Sequence, residues 1–197
     1  VYKRQVLLSA SKTLDIQFID ELIASLTGKD TRKTAIEALF FYGEPIIDIL
    51  YKKIKSETIE LENATYSILV IEKFATQKSI NTLIKLTNNT EHTLKIEAIE
   101  ALRRLKWKYD YLQIKDRFIV DRILDECQLY QNTLSVIHSQ IVIHYKNKEQ
   151  KPESKEVDDA RKGLINLLEL RLDRQLQRIF RFLGVKYPTN DVDPILN

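Results

Sequence analysis

The chain has 197 residues, 44% of them hydrophobic and 30% charged, enough to bury a substantial core as one domain or one and a half. Only four Gly and four Pro interrupt long Ile-, Leu-, Lys- and Glu-rich segments, which favours helices over strands that would need many turns, and no sheet is expected. A formal charge of +3, with both signs interleaved, excludes the basic footprint of a dedicated nucleic-acid binder, and the single cysteine, Cys127, excludes an intramolecular disulfide or a multi-cysteine zinc site.

In chain order, residues 1–13 are read as an N-terminal segment with a truncated or non-native start, because Val1-Tyr2-Lys3-Arg4-Gln5 is polar and lacks an initiator Met. Residues 14–110 are read as helix pairs. Ile16, Ile19, Ile23 and Leu26 share one face of a helix over 14–27 that Gly28 ends. Asp30 or Thr31 can cap the next helix, with Ala35, Leu39 and Tyr42 on its apolar face. Gly43 and Pro45 punctuate, and a partner helix from Pro45 to about Lys55 is expected to bury Ile46, Ile49, Leu50 and Ile54. A second pair spans about Leu61 to Ala75 and Gln77 to Leu86, and a third helix starts near Thr93 and buries Leu94, Ala98, Leu102 and Leu105.

Three stretches repeat one another: Thr34–Leu39 (TAIEAL), Asn63–Ile71 (NATYSILVI) and Glu97–Leu102 (EAIEAL). Residues 41–50 lie over 74–83 without a gap, placing Ile47 on Ile80 and Leu50 on Leu83 at an offset of 33. Self-similarity at that period in paired amphipathic helices predicts an all-α, armadillo-like α-solenoid, in which each pair buries its apolar face against its neighbours. The small residues Ala35, Ala38, Ala64, Ala98 and Ala101 would let those helices approach closely.

After Trp107 the register changes. Val120, Ile123, Cys127, Tyr130, Leu134, Ile137 and Ile141 form one stripe, and Ile165, Leu168, Leu172, Leu176, Ile179 and Leu183 form a second beyond the polar stretch Lys146–Glu156. Residues 111–184 are therefore predicted to be a long antiparallel helical hairpin packed on the solenoid, stopped by Gly184 and Pro188, with 185–197 opening a further, truncated element. The whole is read as an internal part of something longer.

Candidate chemistry is sparse. Glycines at 28, 43, 163 and 184 build no phosphate loop, so no nucleotide cofactor is expected. His92, His138 and His144 lack the spacing of paired metal ligands, and Cys127 sits on an apolar stripe as a small hydrophobe. Asp116, Asp121, Asp125 and Glu126 alternate with Lys115, Arg117 and Arg122, the pattern of a solvated ion-paired face. No enzymatic constellation is found.

Arg171, Arg174, Arg178 and Arg181 recur by three and four and line up roughly opposite the Leu172/Leu176/Ile179 stripe. Two readings stand: an anion-facing ridge for a membrane surface or an acidic partner, or a solvated face partly paired to acidic residues of other helices. Nucleic acid is disfavoured because aromatic residues are not interleaved with these arginines.

The run Leu172–Pro188 (LDRQLQRIFRFLGVKYP), with Asp191-Val192 after it, resembles the LDRALERIFRLLGLLYPPEDI-type signature that follows the HEAT repeats of bacterial membrane proteins related to ATP/ADP translocases and major-facilitator transporters. Residues 101–105 (ALRRL) and 126–130 are similar to that pattern too, and the resemblance extends from about residue 6 to the end, with Lys186 and Thr189 as departures. It implies a HEAT-repeat scaffold or regulatory module on the cytoplasmic side of the inner membrane, tethered through a region outside this chain. Its partner would be another domain of the same polypeptide, which in some members includes a cyclic-nucleotide-binding domain, or a separate protein. The rivals are a freestanding HEAT protein that binds nucleic acid and a HEAT-like lyase, the latter needing a polar pocket that the sequence does not announce.

Overall fold

The computed structural model describes residues 16–150 and 154–188. The expectations for residues 1–13 and for the element beyond Pro188 lie outside the described residues. Every regular element described is helical: a 3-10 turn at Ile16–Phe18, then α1 (Ile19–Ala24), α2 (Arg32–Phe41), α3 (Pro45–Lys55), α4 (Leu61–Lys73), α5 (Gln77–Leu86), α6 (His92–Lys108), α7 (Asp116–Gln150) and α8 (Lys155–Lys186). The chain divides into two compact units between Ile114 and Lys115.

In the first unit α2, α4 and α6 pack in sequence side by side, α3 packs on α5, and α1 lies against α2 and α4. Positions 33 residues apart play the same part. Thr34, Ala35 and Ala38 are buried on α2 as Ser67, Ile68 and Ile71 are on α4, and Ile46, Ile47 and Leu50 on α3 as Ser79, Ile80 and Leu83 on α5. Ile47, not Ile49, completes the buried face of α3, because that helix is clasped between α4 and α5 and presents a broader face than one stripe. The first predicted helix is shorter than its pattern: Ile16 is exposed, and α1 begins only at Ile19.

The turns follow local chemistry. Pro45 occupies the first turn of α3, where its missing N–H costs nothing. Thr76 caps α5 by accepting from the Ser79 N–H, and Glu91 caps α6 by accepting from the Thr93 N–H. Thr31 stands at the N-cap of α2 without that bond. Its hydroxyl instead donates to the Ser25 carbonyl at 2.8 Å, closing the preceding turn.

Helices α2, α3 and α4 each leave through a left-handed residue: Gly43, Glu57 and Ala75. At the end of α3 the Glu57 N–H donates to the Ile54 carbonyl and the Thr58 N–H to the Lys53 carbonyl, the paired bonds of a Schellman turn. A glutamate at that position crowds its own backbone. Glu57 is exposed, so Glu57→Gly is expected to stabilise the fold by about 0.5 kcal/mol, the relief of left-handed strain exceeding the added chain entropy. A rise in urea midpoint at unchanged slope checks it.

The second unit is a pair of long helices. Polar contacts link residue 116 to 186, 126 to 178, 133 to 175 and 144 to 161, so numbers rise along α7 as they fall along α8 and the pair is antiparallel. Both helices exceed their predicted lengths. α7 continues to Gln150 and α8 starts at Lys155, so residues 146–150 and 155–156 of that stretch are helical. α8 also runs through the buried Gly184 to Lys186, and the Tyr187–Pro188 step, not Gly184, ends it.

Candidate interaction surfaces

The seam of the hairpin keeps part of the predicted apolar stripe, with Ile137 buried and Val120, Ile123, Cys127 and Tyr130 half-buried, and adds polar residues to it. On α7 the buried positions are Ile119, Glu126, Thr133 and Ile137, whereas Leu134 and Ile141 are 48% and 41% exposed. Ile119, Glu126 and Thr133 recur every seven residues, so they share one line of the helix. That line is selected by what α8 offers opposite it, two polar side chains. Arg178 grips Glu126 with both arms, Nε donating to Oε1 at 2.7 Å and Nη2 to Oε2 at 2.8 Å, and each side chain is only about a tenth exposed (12% and 10%). One helical turn along, Gln175 Nε2 donates to Thr133 Oγ1 at 3.3 Å.

Nearer the tip, Arg161 Nη1 lies 3.2 Å from His144 Nδ1, and Asp158 Oδ1 lies 3.5 Å from the same nitrogen. A hydrogen bond from Lys162 holds the Asp158 carboxyl below its ordinary value, and Asp158 is therefore ionised at neutral pH. Its neighbour Glu156 is also held below the usual value, by its own backbone N–H and by the Ser154 hydroxyl that caps α8.

The four arginines of the predicted ridge are thus not one surface. Arg171 and Arg174 are exposed, Arg178 is turned into the seam, and Arg181 is half-buried. Sequence spacing placed Arg178 with the others and could not find its partner, because Glu126 lies 52 positions away. The solvated acidic face is divided in the same way. Arg122 pairs with Asp125 at 2.7 Å and Arg117 with Asp121 at 3.8 Å on the surface, but Glu126 is buried.

The first unit carries a second charged cluster. Arg104 of α6 binds both carboxylate oxygens of Glu72 on α4, each at 2.8 Å, and Glu97 two turns back, also at 2.8 Å. The Glu72 bond, partly opposed by burial, holds that guanidinium well above its ordinary value. Beside it opens a cavity of about 330 Å³ whose lining includes Leu69, Lys73, Leu105, Lys108 and Tyr109. At the same ends of the helices Phe40 stacks on Phe74 at 4.6 Å, with the Lys73 ammonium 5.0 Å from the Phe40 ring. The segment after α6 is fastened back onto the start of α5: Tyr111 donates to the Ala75 carbonyl at 3.0 Å, and Gln77 exchanges two bonds with the Gln113 backbone at 3.0 and 3.1 Å.

Cys127 is half-buried. Among the described residues no group of three His, Cys, Asp or Glu side chains stands close enough to hold a metal ion, and no helix is long and apolar enough to cross a membrane.

The class that this fold defines, over the described residues, is an all-helical protein with two units, one of packed helices and one a long hairpin. No family model, curated protein or solved structure matches the chain.

Proposed function

We propose that the chain is a HEAT-like α-solenoid that serves as a non-enzymatic scaffold or regulatory module, the cytoplasmic part of a transporter-like bacterial membrane protein related to ATP/ADP antiporters. The observation that carries the scaffold reading is the recurrence of buried positions 33 residues apart on both helices of successive pairs. Pairs stacked in this way offer neighbouring, equivalent surfaces along one edge, suited to holding an extended partner. The partner is another domain of the same polypeptide or a separate protein. The transporter association rests on the sequence run 172–188. Arg171 and Arg174 are what remains of an anion-facing ridge, too little to carry the function by itself.

Two measurements on the complete gene product test this. In membrane fractionation it is expected to sediment with the inner membrane and resist alkaline extraction. Lysine cross-linking in those membranes is expected to join surface lysines of the helix pairs, such as Lys33, Lys53 and Lys78, to a region outside this chain. A fully extractable protein would remove the transporter assignment, and cross-links confined within residues 16–188 would remove the scaffold reading.

A further inference from the structure

The side of α8 turned away from α7 carries a stripe at spacings of four and three: Glu156, Ala160, Gly163, Leu167, Leu170 and Arg174, all exposed. Leu167 is 67% exposed and Leu170 49%. Large leucines laid bare on a helix next to two small residues call for a covering surface. Among the described residues nothing requires a glycine at 163, since a Cβ built there meets nothing within 4 Å, and a glycine inside a helix is disfavoured relative to alanine.

The stripe is complementary to itself when reversed. Run antiparallel about the level of Ile165, Leu170 of one copy meets Ala160 of the other, Leu167 meets Gly163, and Arg174 meets Glu156. Large falls on small and positive on negative at every level, as an isologous two-fold interface requires. A parallel arrangement would stack like on like. Neither Arg171 nor Arg174 has an ion-pair partner among the described residues, and Glu156 makes no salt bridge there either, so both ends of the stripe have charge to offer. Val157 and Leu164, exposed along one flank, widen the contact.

We propose that two copies of this chain associate through the outer face of α8, antiparallel, with Leu167 and Leu170 of each copy seated against Gly163 and Ala160 of the other and an Arg174–Glu156 pair at each end. The contact spans about 28 Å of helix, 19 residues at the α-helical rise. It does not depend on the scaffold reading, because it concerns the hairpin alone.

Sedimentation of the chain over a concentration series tests the proposal. At about 100 μM, above the dissociation constant of even a weak specific interface, a mass twice 23.1 kDa is expected. Leu167→Glu with Leu170→Glu should leave a monomer of unchanged far-ultraviolet circular dichroism. Arg174→Glu and Glu156→Arg should each weaken association about tenfold, and the two together should restore it, because every pair is then re-formed with its signs exchanged. Gly163→Ala should raise the melting temperature of the dilute monomer yet weaken the dimer. A chain that stays monomeric throughout, a dimer indifferent to the leucine changes, or a charge swap that fails to restore association would each overturn the proposal.

Discussion

Replacing Arg178 with methionine is expected to destabilise the hairpin by about 3 kcal/mol, the cost of leaving a buried carboxylate without its counter-ion. Glu126 is about nine-tenths shielded and both of its oxygens are bonded to that one guanidinium. Methionine keeps most of the volume and removes the charge, so nearly all the loss is electrostatic rather than a cavity. The companion Glu126→Leu with Arg178→Met removes both charges and should recover most of the stability, because an apolar pair of similar size avoids the desolvation penalty altogether. The measurement is urea unfolding followed by circular dichroism across the four-member cycle, with coupling read as the departure from additivity. A loss below about 1 kcal/mol for Arg178→Met would place the pair in the ordinary range of solvent-exposed salt bridges and contradict its burial.

The second large effect belongs to the helix pairs. Ile68→Ala is expected to cost about 3 to 4 kcal/mol, since it removes a fully buried branched side chain and leaves a cavity that the surroundings cannot fill. Ile68 lies near the middle of α4, the helix that packs against α1, α2, α3, α5 and α6, so collapse into the void from any one side is opposed by the others. The control is Ile16→Ala at an exposed position, which should change stability by less than about 0.5 kcal/mol. Equal effects at the two sites would mean that the first unit is not packed as described. Both measurements use the urea midpoint at constant slope, so that a change in the compactness of the unfolded chain is not mistaken for lost packing.

Much of the first unit was legible. Pro45 at the start of α3, the exact extent of α5 and the buried set Leu94, Ala98, Leu102 and Leu105 on α6 follow from periodicity and from turn chemistry that acts over a few residues. These are local signals, set by neighbours a few residues away along the chain. Glu57 and Ala75 show where such signals fail. Neither is a residue that favours a left-handed turn, yet both adopt one where the chain leaves one helix for the next.

The hairpin was legible as two long helices and in part of its seam, but not in its polar contacts. Of the predicted α7 stripe, Ile137 is buried and Val120, Ile123, Cys127 and Tyr130 are half-buried, but Leu134 and Ile141 are exposed while the polar Glu126 and Thr133 are buried. Hydrophobicity alone does not show that Glu126 and Thr133 are buried where Leu134 and Ile141 are not. The outcome depends on Arg178 and Gln175 standing opposite Glu126 and Thr133, which is a fact about two helices at once.

The amino-acid sequence by itself determined that the chain is helical, where most of the helices lie, and which positions repeat at 33 residues, because those properties are set by neighbours three and four apart along one helix. Only the tertiary structure decided which face of each long helix is the seam. It drew Arg178 out of the arginine line into the hairpin and left Arg174 outside on the stripe with Glu156, Leu167 and Leu170. The physical reason is that a buried charge goes where its counter-ion is held, and the position of a counter-ion 52 residues away is a property of the fold.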